Sequence, residues 1–214
     1  MGQCLDIDRN TTNCYWTCFD EIRGLKGKIT TKQGDGGTTS IVGGERVAKD
    51  DPRIECLGEL DEANSALGLL RSKLEADHQW ETGLQRIQTE MMNLMSRVAT
   101  PSAHEPKPRV PLPEGSAEWM ETWMDSIEEA LPSETEYFLL PGGGEISALC
   151  QICRTQVRRA ERRLVTLNRM DPVDSSILVF VNRLSDLLFK LSRQAMQDCG
   201  VDEERWHLFV EKRK

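Results

Sequence analysis

Beyond residue 51 the apolar side chains recur every three or four positions in five separate blocks, the spacing that lines one face of an α-helix. Asp51-Pro52 offers a cap followed by proline at the first helical position. Leu57, Leu60, Asn64, Leu67 and Leu74 then predict a first helix over about 52–75. Trp80, Leu84, Ile87, Met91, Leu94, Met95 and Val98 continue the period in a second helix until Thr100-Pro101 stops it. "PSAHEPKPRVPLPEG" holds five of the nine prolines and reads as loop, because proline lacks the amide donor that helix and strand interiors use. Ser116 is the expected cap of a third helix, with Trp119, Trp123, Ile127 and Leu131 along one side and Pro132 as its stop. A fourth block over about 145–168 aligns Leu149, Cys153, Val157, Ala160, Leu164 and Leu167. Asp171-Pro172 repeats the cap-plus-proline start, and Ile177, Val181, Leu184, Leu188 and Leu191 carry a fifth helix to about Gly200. With little strand signal and no internal repeat, the chain is expected to fold as an all-α five-helix bundle, an architecture whose sites form between facing helices.

Composition narrows the function classes. A chain of 214 residues that is 38% hydrophobic and 29% charged suits one sizeable core. Its formal net charge of −8 opposes broad nucleic-acid binding, which rests on clustered positive charge. No apolar run reaches the roughly 20 residues of a membrane-spanning helix. Residues 1–27 carry Asp6, Asp8, Asp20 and Glu21, fit neither a secretory signal nor an acid-poor transit peptide, and are expected to be a poorly structured extension. Asp6 also stands where an acylation motif wants Ser or Thr. Seven cysteines, an odd number and scattered, point to a reducing compartment. Cys150 and Cys153 form a CxxC inside a helical pattern without a second pair at zinc spacing, and are read as small core residues.

Two helices carry selected polar edges. In "CRTQVRRAERR", Arg154, Arg158 and Glu161 stand at i, i+4 and i+7, about a quarter-turn from the apolar stripe and therefore at the margin of the core. Pairing of Arg158 with Glu161 on a solvated face is the plainer alternative. Arg159, Arg162 and Arg163 turn outward, to solvent or to a neighbouring chain. On the fifth helix Asn182, Asp186 and Phe189 repeat the i, i+4, i+7 spacing beside an apolar stripe, so the two edges together suggest a shared pocket. Upstream, "KITTKQGDGGTTS" over 28–40 combines Gly34, Gly36 and Gly37 with Lys32, Thr38 and Thr39. It is either an exposed loop or a backbone cradle for an anion, and it does not match the Walker A spacing.

These blocks, with "GGERVAKDDPRIE" at 43–55, "LDEANSALG" at 60–68, "LLPGGGE" at 139–145 and "NRLSDLLFKLSR" at 182–193, resemble the PduO-type ATP:cob(I)alamin adenosyltransferases over about residues 28–200. The resemblance implies a helical domain over 28–200 with an N-terminal ATP-binding loop, followed by a tail over 201–214, and assembly as a homotrimer with ATP between subunits and cobalamin beside it. It implies transfer of the 5′-deoxyadenosyl group of ATP, with Mg²⁺, to cob(I)alamin, releasing triphosphate. Cob(I)alamin is itself the nucleophile, so no serine or cysteine nucleophile is required. Cytoplasm and mitochondrial matrix are both compatible compartments, and a reductase or an adenosylcobalamin-dependent enzyme is a candidate partner.

The resemblance also assigns roles. Lys32, Gly34, Asp35, Gly37 and Thr38 fall in the nucleotide loop, with Lys49 close to the phosphates. Arg158 and Glu161 match nucleotide-site residues, Arg158 being placed to stabilise charge on the leaving triphosphate. Arg154 matches an arginine that pairs with Asp35 across the subunit interface. Asn182 contacts nucleotide, Asp186 lies toward cobalamin, and Phe138 is either ordinary packing or an apolar ring against the lower corrin face that excludes an axial ligand. Gly36 departs from a common lysine, Thr30 from a tyrosine, Glu59 from a threonine and Ala63 from a leucine. The alternatives are a carrier that binds cobalamin or nucleotide without turnover, or a purely structural bundle.

Overall fold

The computed structural model describes residues 32–104, 107, 110–111, 113–131 and 138–206. The extension over 1–27, Thr30, Pro132 and the tail beyond 206 lie outside the described residues. The chain forms a short hairpin, β1 (Thr38–Ser40) and β2 (Arg46–Ala48), then α1 (Pro52–Ser72), α2 (Glu81–Val98), α3 (Ser116–Ala130), α4 (Glu145–Met170) and α5 (Ser175–Asp198). The five expected helices are all present. The hairpin is the addition, pairing Thr38 with Ala48, Thr39 with Val47 and Ser40 with Arg46 antiparallel.

Core packing follows the apolar stripes. α4 and α5 form the closest pair, α1 packs on α4, α2 on α1, and α3 on α5. Leu60, Ala63, Leu67, Ile87, Leu94, Val157, Leu164, Phe180 and Leu188 are fully buried between them. Cys150 and Cys153 are core residues, as their helical setting suggested. Burial raises both thiols, Cys153 to about 12, so neither is a ready thiolate.

Helix starts correct the sequence reading twice. Ser116 does not cap α3; Gly115, in the left-handed conformation at φ 72°, precedes it, and the buried Ser116 hydroxyl accepts from Arg86 Nη2 at 3.3 Å. Asp171 does not cap α5. Its carboxylate accepts from the Arg53 guanidinium and from the Ser102 amide at 2.9 Å, leaving Asp174 to cap by accepting from Ser176 N at 2.9 Å. The physical reason is competition: a buried guanidinium in the first turn of α1 claims the first carboxylate, and α5 starts at the second. α1 also ends at Ser72 instead of Glu75, and α4 runs to Met170. In α3 the core positions are Met120 and Ile127, while Trp119 and Trp123 are only half-buried, with Arg86 stacked 4.1 Å from the Trp119 ring.

Candidate active site

The polar edges of α4 and α5 meet with α3 around an open cleft of about 420 Å³. Arg154 and Arg158 line it from α4, Asp186 and Phe189 from α5, and Glu121, Asp125 and Glu128 from α3. Arg183 of α5 donates to Glu121, and Lys190 of α5 reaches Glu128 at 2.6 Å, so two of the three α3 carboxylates are neutralised across the gap. The hydrogen bond from Lys190 also lowers the Glu128 pKa. Arg154 donates through Nε to Gln151 Oε1 at 2.7 Å. Arg158 makes no side-chain hydrogen bond or ion pair among the described residues, which leaves its fork of donors facing the cleft. Desolvation, followed by repulsion from Arg158, lowers the Arg154 pKa. Two guanidiniums close enough to repel, neither hydrogen-bonded to a carboxylate among the described residues, create a local demand for an anion.

Glu161 and Asn182, predicted to share this region, are joined: Asn182 Nδ2 donates to Glu161 Oε1 at 3.0 Å, and Asn182 Oδ1 accepts from Arg183 Nη1 at 2.9 Å. The carboxylate partner expected for Arg158 on a solvated face is thus committed elsewhere. Desolvation between the helices raises the Asp186 pKa, opposed by Arg183, which stands 3.7 Å away. The outward arginines also find partners within the chain. Arg159 grips Glu59 and Glu62 of α1, and Arg163 pairs with Glu55 at 3.2 Å. The departure at Glu59 therefore has a structural use, as one carboxylate of the α1–α4 seam.

From residue 32, where the described part of the glycine-rich segment begins, the chain turns and leads into β1. Gly37 is left-handed at φ 79°, and its carbonyl accepts from Lys49 N at 2.9 Å. Lys49 crosses over Gly34 so closely that a Cβ there would lie 3.1 Å from Nζ. Lys32, at φ 58°, is the only described residue other than glycine with positive φ. Arg46 clips the open end by donating to Thr38 Oγ1 at 2.5 Å and to the Gln33 carbonyl at 2.7 Å. Lys32, Gly34, Gly37, Thr38 and Lys49 are thereby gathered at one end of the hairpin, with Asp35 exposed beside them. No hydrogen bond or ion pair among the described residues joins this set to Arg154 or Arg158 of the same chain.

Phe138 forms a third locus. Its ring is 80% exposed, which excludes ordinary core packing, and it meets Trp206 edge-on at 6.4 Å. Leu140 N donates to Glu204 O and Trp206 N to Phe138 O, both at 2.8 Å, while buried Arg193 holds Glu203 at 2.5 Å. The segment 201–206, for which the sequence offered no role, thus returns beside Phe138. Sequence reasoning also missed Arg183, Lys190, Glu121, Glu128 and Arg46. The seven-residue spacings of Glu121 with Glu128 and of Arg183 with Lys190 were the signal, since each pair falls on one helical face.

The sequence profile described as Cobalamin adenosyltransferase matches residues 29–195. Human corrinoid adenosyltransferase MMAB is 41% identical over 181 residues, covering 83% of this chain and 72% of its own. The corrinoid adenosyltransferase of Mycobacterium tuberculosis is 38% identical over 177 residues, covering 81% of this chain and 91% of its own. Among solved structures, a variant PduO-type ATP:corrinoid adenosyltransferase from Lactobacillus reuteri complexed with cobalamin and ATP superposes with a TM-score of 0.80 at 32% identity. It covers 85% of this chain and 100% of that one. Profile, relatives and bundle agree across that coverage, and the chain belongs to the cobalamin adenosyltransferase family.

Proposed function

We propose that this protein is an ATP:corrinoid adenosyltransferase, transferring the 5′-deoxyadenosyl group of ATP to cob(I)alamin. The carrying observation is the uncommitted Arg158, beside Arg154, in a cleft that also presents Asp186 and Phe189. The reduced cobalt of the substrate attacks C5′, a Co–C bond forms, the C5′–O bond breaks, and triphosphate leaves with the electron pair. Arg158 meets the charge that grows on the leaving oxygen, where a preorganised guanidinium acts at full strength because it needs no reorganisation. Glu161 and Asn182, already bonded to each other, orient the nucleoside end. Lys32, Thr38 and Lys49, with the backbone at Gly34 and Gly37, hold the phosphates.

On this reading the enzyme is a homotrimer. Asp35 of one subunit reaches Arg154 of the next, which supplies each with an ionic partner that neither has among the described residues. Exposed Leu69, Ile152 and Val165 supply apolar surface for such contacts. Phe138 faces the corrin, its exposed ring keeping an axial ligand away, and Asp186 lies on the same side. Mg²⁺ enters with the triphosphate on this reading, and the residue roles above do not depend on a protein-bound ion. Product handover to an adenosylcobalamin-dependent enzyme and supply of reduced corrinoid by a reductase are the partner interactions this chemistry requires.

The test is incubation with ATP, Mg²⁺ and chemically reduced cobalamin while following the absorbance change of Co–C bond formation and the release of triphosphate. Formation of both products is expected. Binding of cobalamin or ATP with neither product would sink the transferase reading and leave a carrier.

A further inference from the structure

The nucleotide-loop hairpin is tied to the bundle at its closed end, through a loop that the reaction does not otherwise use. In the turn between β1 and β2, Val42 N donates to the Ala99 carbonyl at 3.3 Å. Gly43, at φ 94°, lies so close to His104 that a Cβ on it would stand 2.7 Å from Nδ1 and 2.8 Å from Cε1. The half-buried imidazole therefore occupies the space a side chain at 43 would take. His104 is itself fixed from beneath. Its amide donates to Pro101 O at 3.0 Å, Ser102 N donates to Asp171, and Arg53 reaches the carbonyls of Val98 and Thr100. A continuous set of contacts thus runs from the ends of α1, α2 and α4, through residues 98–104, to the tip of the hairpin whose open end carries Thr38 and Lys49.

We propose that His104 is a positioning residue for ATP. Its ring, pressed against Gly43, sets the tilt of the hairpin so that Gly34, Thr38 and Lys49 present to the phosphates without a search. The hairpin is only three residues per strand, too short to hold its own orientation, and its other connection is the covalent run through Asp51 into α1. This inference rests on the adenosyltransferase reading, in which the hairpin binds triphosphate.

The experiment compares wild type, His104→Ala, His104→Phe and Gly43→Ala for the KM of ATP, the KM of cob(I)alamin and kcat. A second readout is the ATP concentration that protects the Lys32 and Lys49 peptide bonds from trypsin. His104→Ala is expected to raise the ATP KM and the protecting concentration together by about 5- to 10-fold, the loss of an ordered loop contact, with the cobalamin KM unchanged. His104→Phe, which keeps a flat ring, restores most of the effect, and Gly43→Ala reproduces the ATP defect from the other side of the contact. An ATP KM within twofold of wild type in His104→Ala overturns the proposal, as does a defect confined to Gly43→Ala, which would assign it to backbone strain. Protection without turnover in the wild type would fell the transferase reading and leave this positioning role intact; absence of both would fell the two together.

Discussion

Arg53→Met removes a guanidinium while keeping a side chain of similar reach, and the consequence can be worked from its surroundings. The Arg53 side chain is 8% exposed and serves the Val98 and Thr100 carbonyls and the Asp171 carboxylate. Breaking a buried ion pair costs about 3–5 kcal/mol when the remaining charge has no alternative. Asp171 is 25% exposed and regains some water, and the methionine stem retains packing, so the expected loss is about 2–3 kcal/mol. At roughly 2–4 °C per kcal/mol for a domain of this size, the melting temperature falls by about 5–10 °C at fixed protein concentration. The pH dependence has a definite sign. Burial raises the Asp171 pKa, but the Ser102 hydrogen bonds and Arg53 outweigh it, so the folded value lies below the unfolded one. That stabilisation is present above the unfolded pKa of about 3.9 and fades as pH falls through the lower folded value, so wild type and Arg53→Met converge in acid. Calorimetry or urea titration across that range is the assay. A drop under about 2 °C near neutrality, or a gap that widens in acid, would refute the reasoning.

Three further outcomes are expected. Arg158→Ala lowers kcat by about 10²- to 10³-fold, the loss of one charge-stabilising group, while the melting temperature holds, since the Arg158 side chain makes no hydrogen bond or ion pair among the described residues; unchanged kcat would remove it from the chemistry. Gly36→Lys lowers the ATP KM several-fold, because Gly36 has open space around it and one added phosphate contact is worth about 1 kcal/mol; an unchanged KM would show that the position does not face phosphate. In native protein, alkylation at mildly alkaline pH modifies the exposed Cys199 and spares Cys56, Cys150 and Cys153, whose thiols burial pushes up, Cys56 to about 12; peptide mass mapping reads this directly.

The helices were legible because burial is periodic: Leu60, Leu67, Leu164 and Leu188 are in the core because their spacing placed them on inner faces. Caps were less legible, since a sequence cannot say which of two nearby carboxylates a distant arginine will claim. Asp171 was lost to Arg53, 118 positions away, and Asp174 took the capping role. The same limit hid the cleft's composition. Arg154, Arg158, Asn182 and Asp186 stood out because each edge is local to one helix, whereas the pairing of Arg183 with Glu121 and of Lys190 with Glu128 depends on α3 lying against α5. The hairpin was invisible because three-residue strands carry too short an alternation to register, and its position depends on His104 meeting Gly43. Phe138 needed the fold to separate its two readings: the exposure of the ring excludes core packing, and its neighbour Trp206 lies in a segment the sequence left without a role.

The separation of the loop set from the arginine set within one chain leads to the sharpest test of assembly. Asp35 is exposed on the hairpin side and Arg154 is bound to Gln151 in the cleft, with no contact between them among the described residues. If the site forms between neighbours in a closed ring, each site takes its loop from one subunit and its arginine from the next, a head-to-tail arrangement. Asp35→Asn and Arg154→Met would each inactivate every site in their own assemblies. Co-expressed, an Arg154→Met subunit still offers an intact Asp35 to an Asp35→Asn neighbour that offers an intact Arg154. Random assembly places that pairing at about one interface in four, so activity returns to roughly a quarter of wild type. A site built within one chain gives no such rescue, because every subunit in the mixture then carries one defective half. Adenosylcobalamin formation by the purified mixed assembly therefore distinguishes the two arrangements, and inactivity of that mixture would overturn the proposed intersubunit pairing of Asp35 with Arg154.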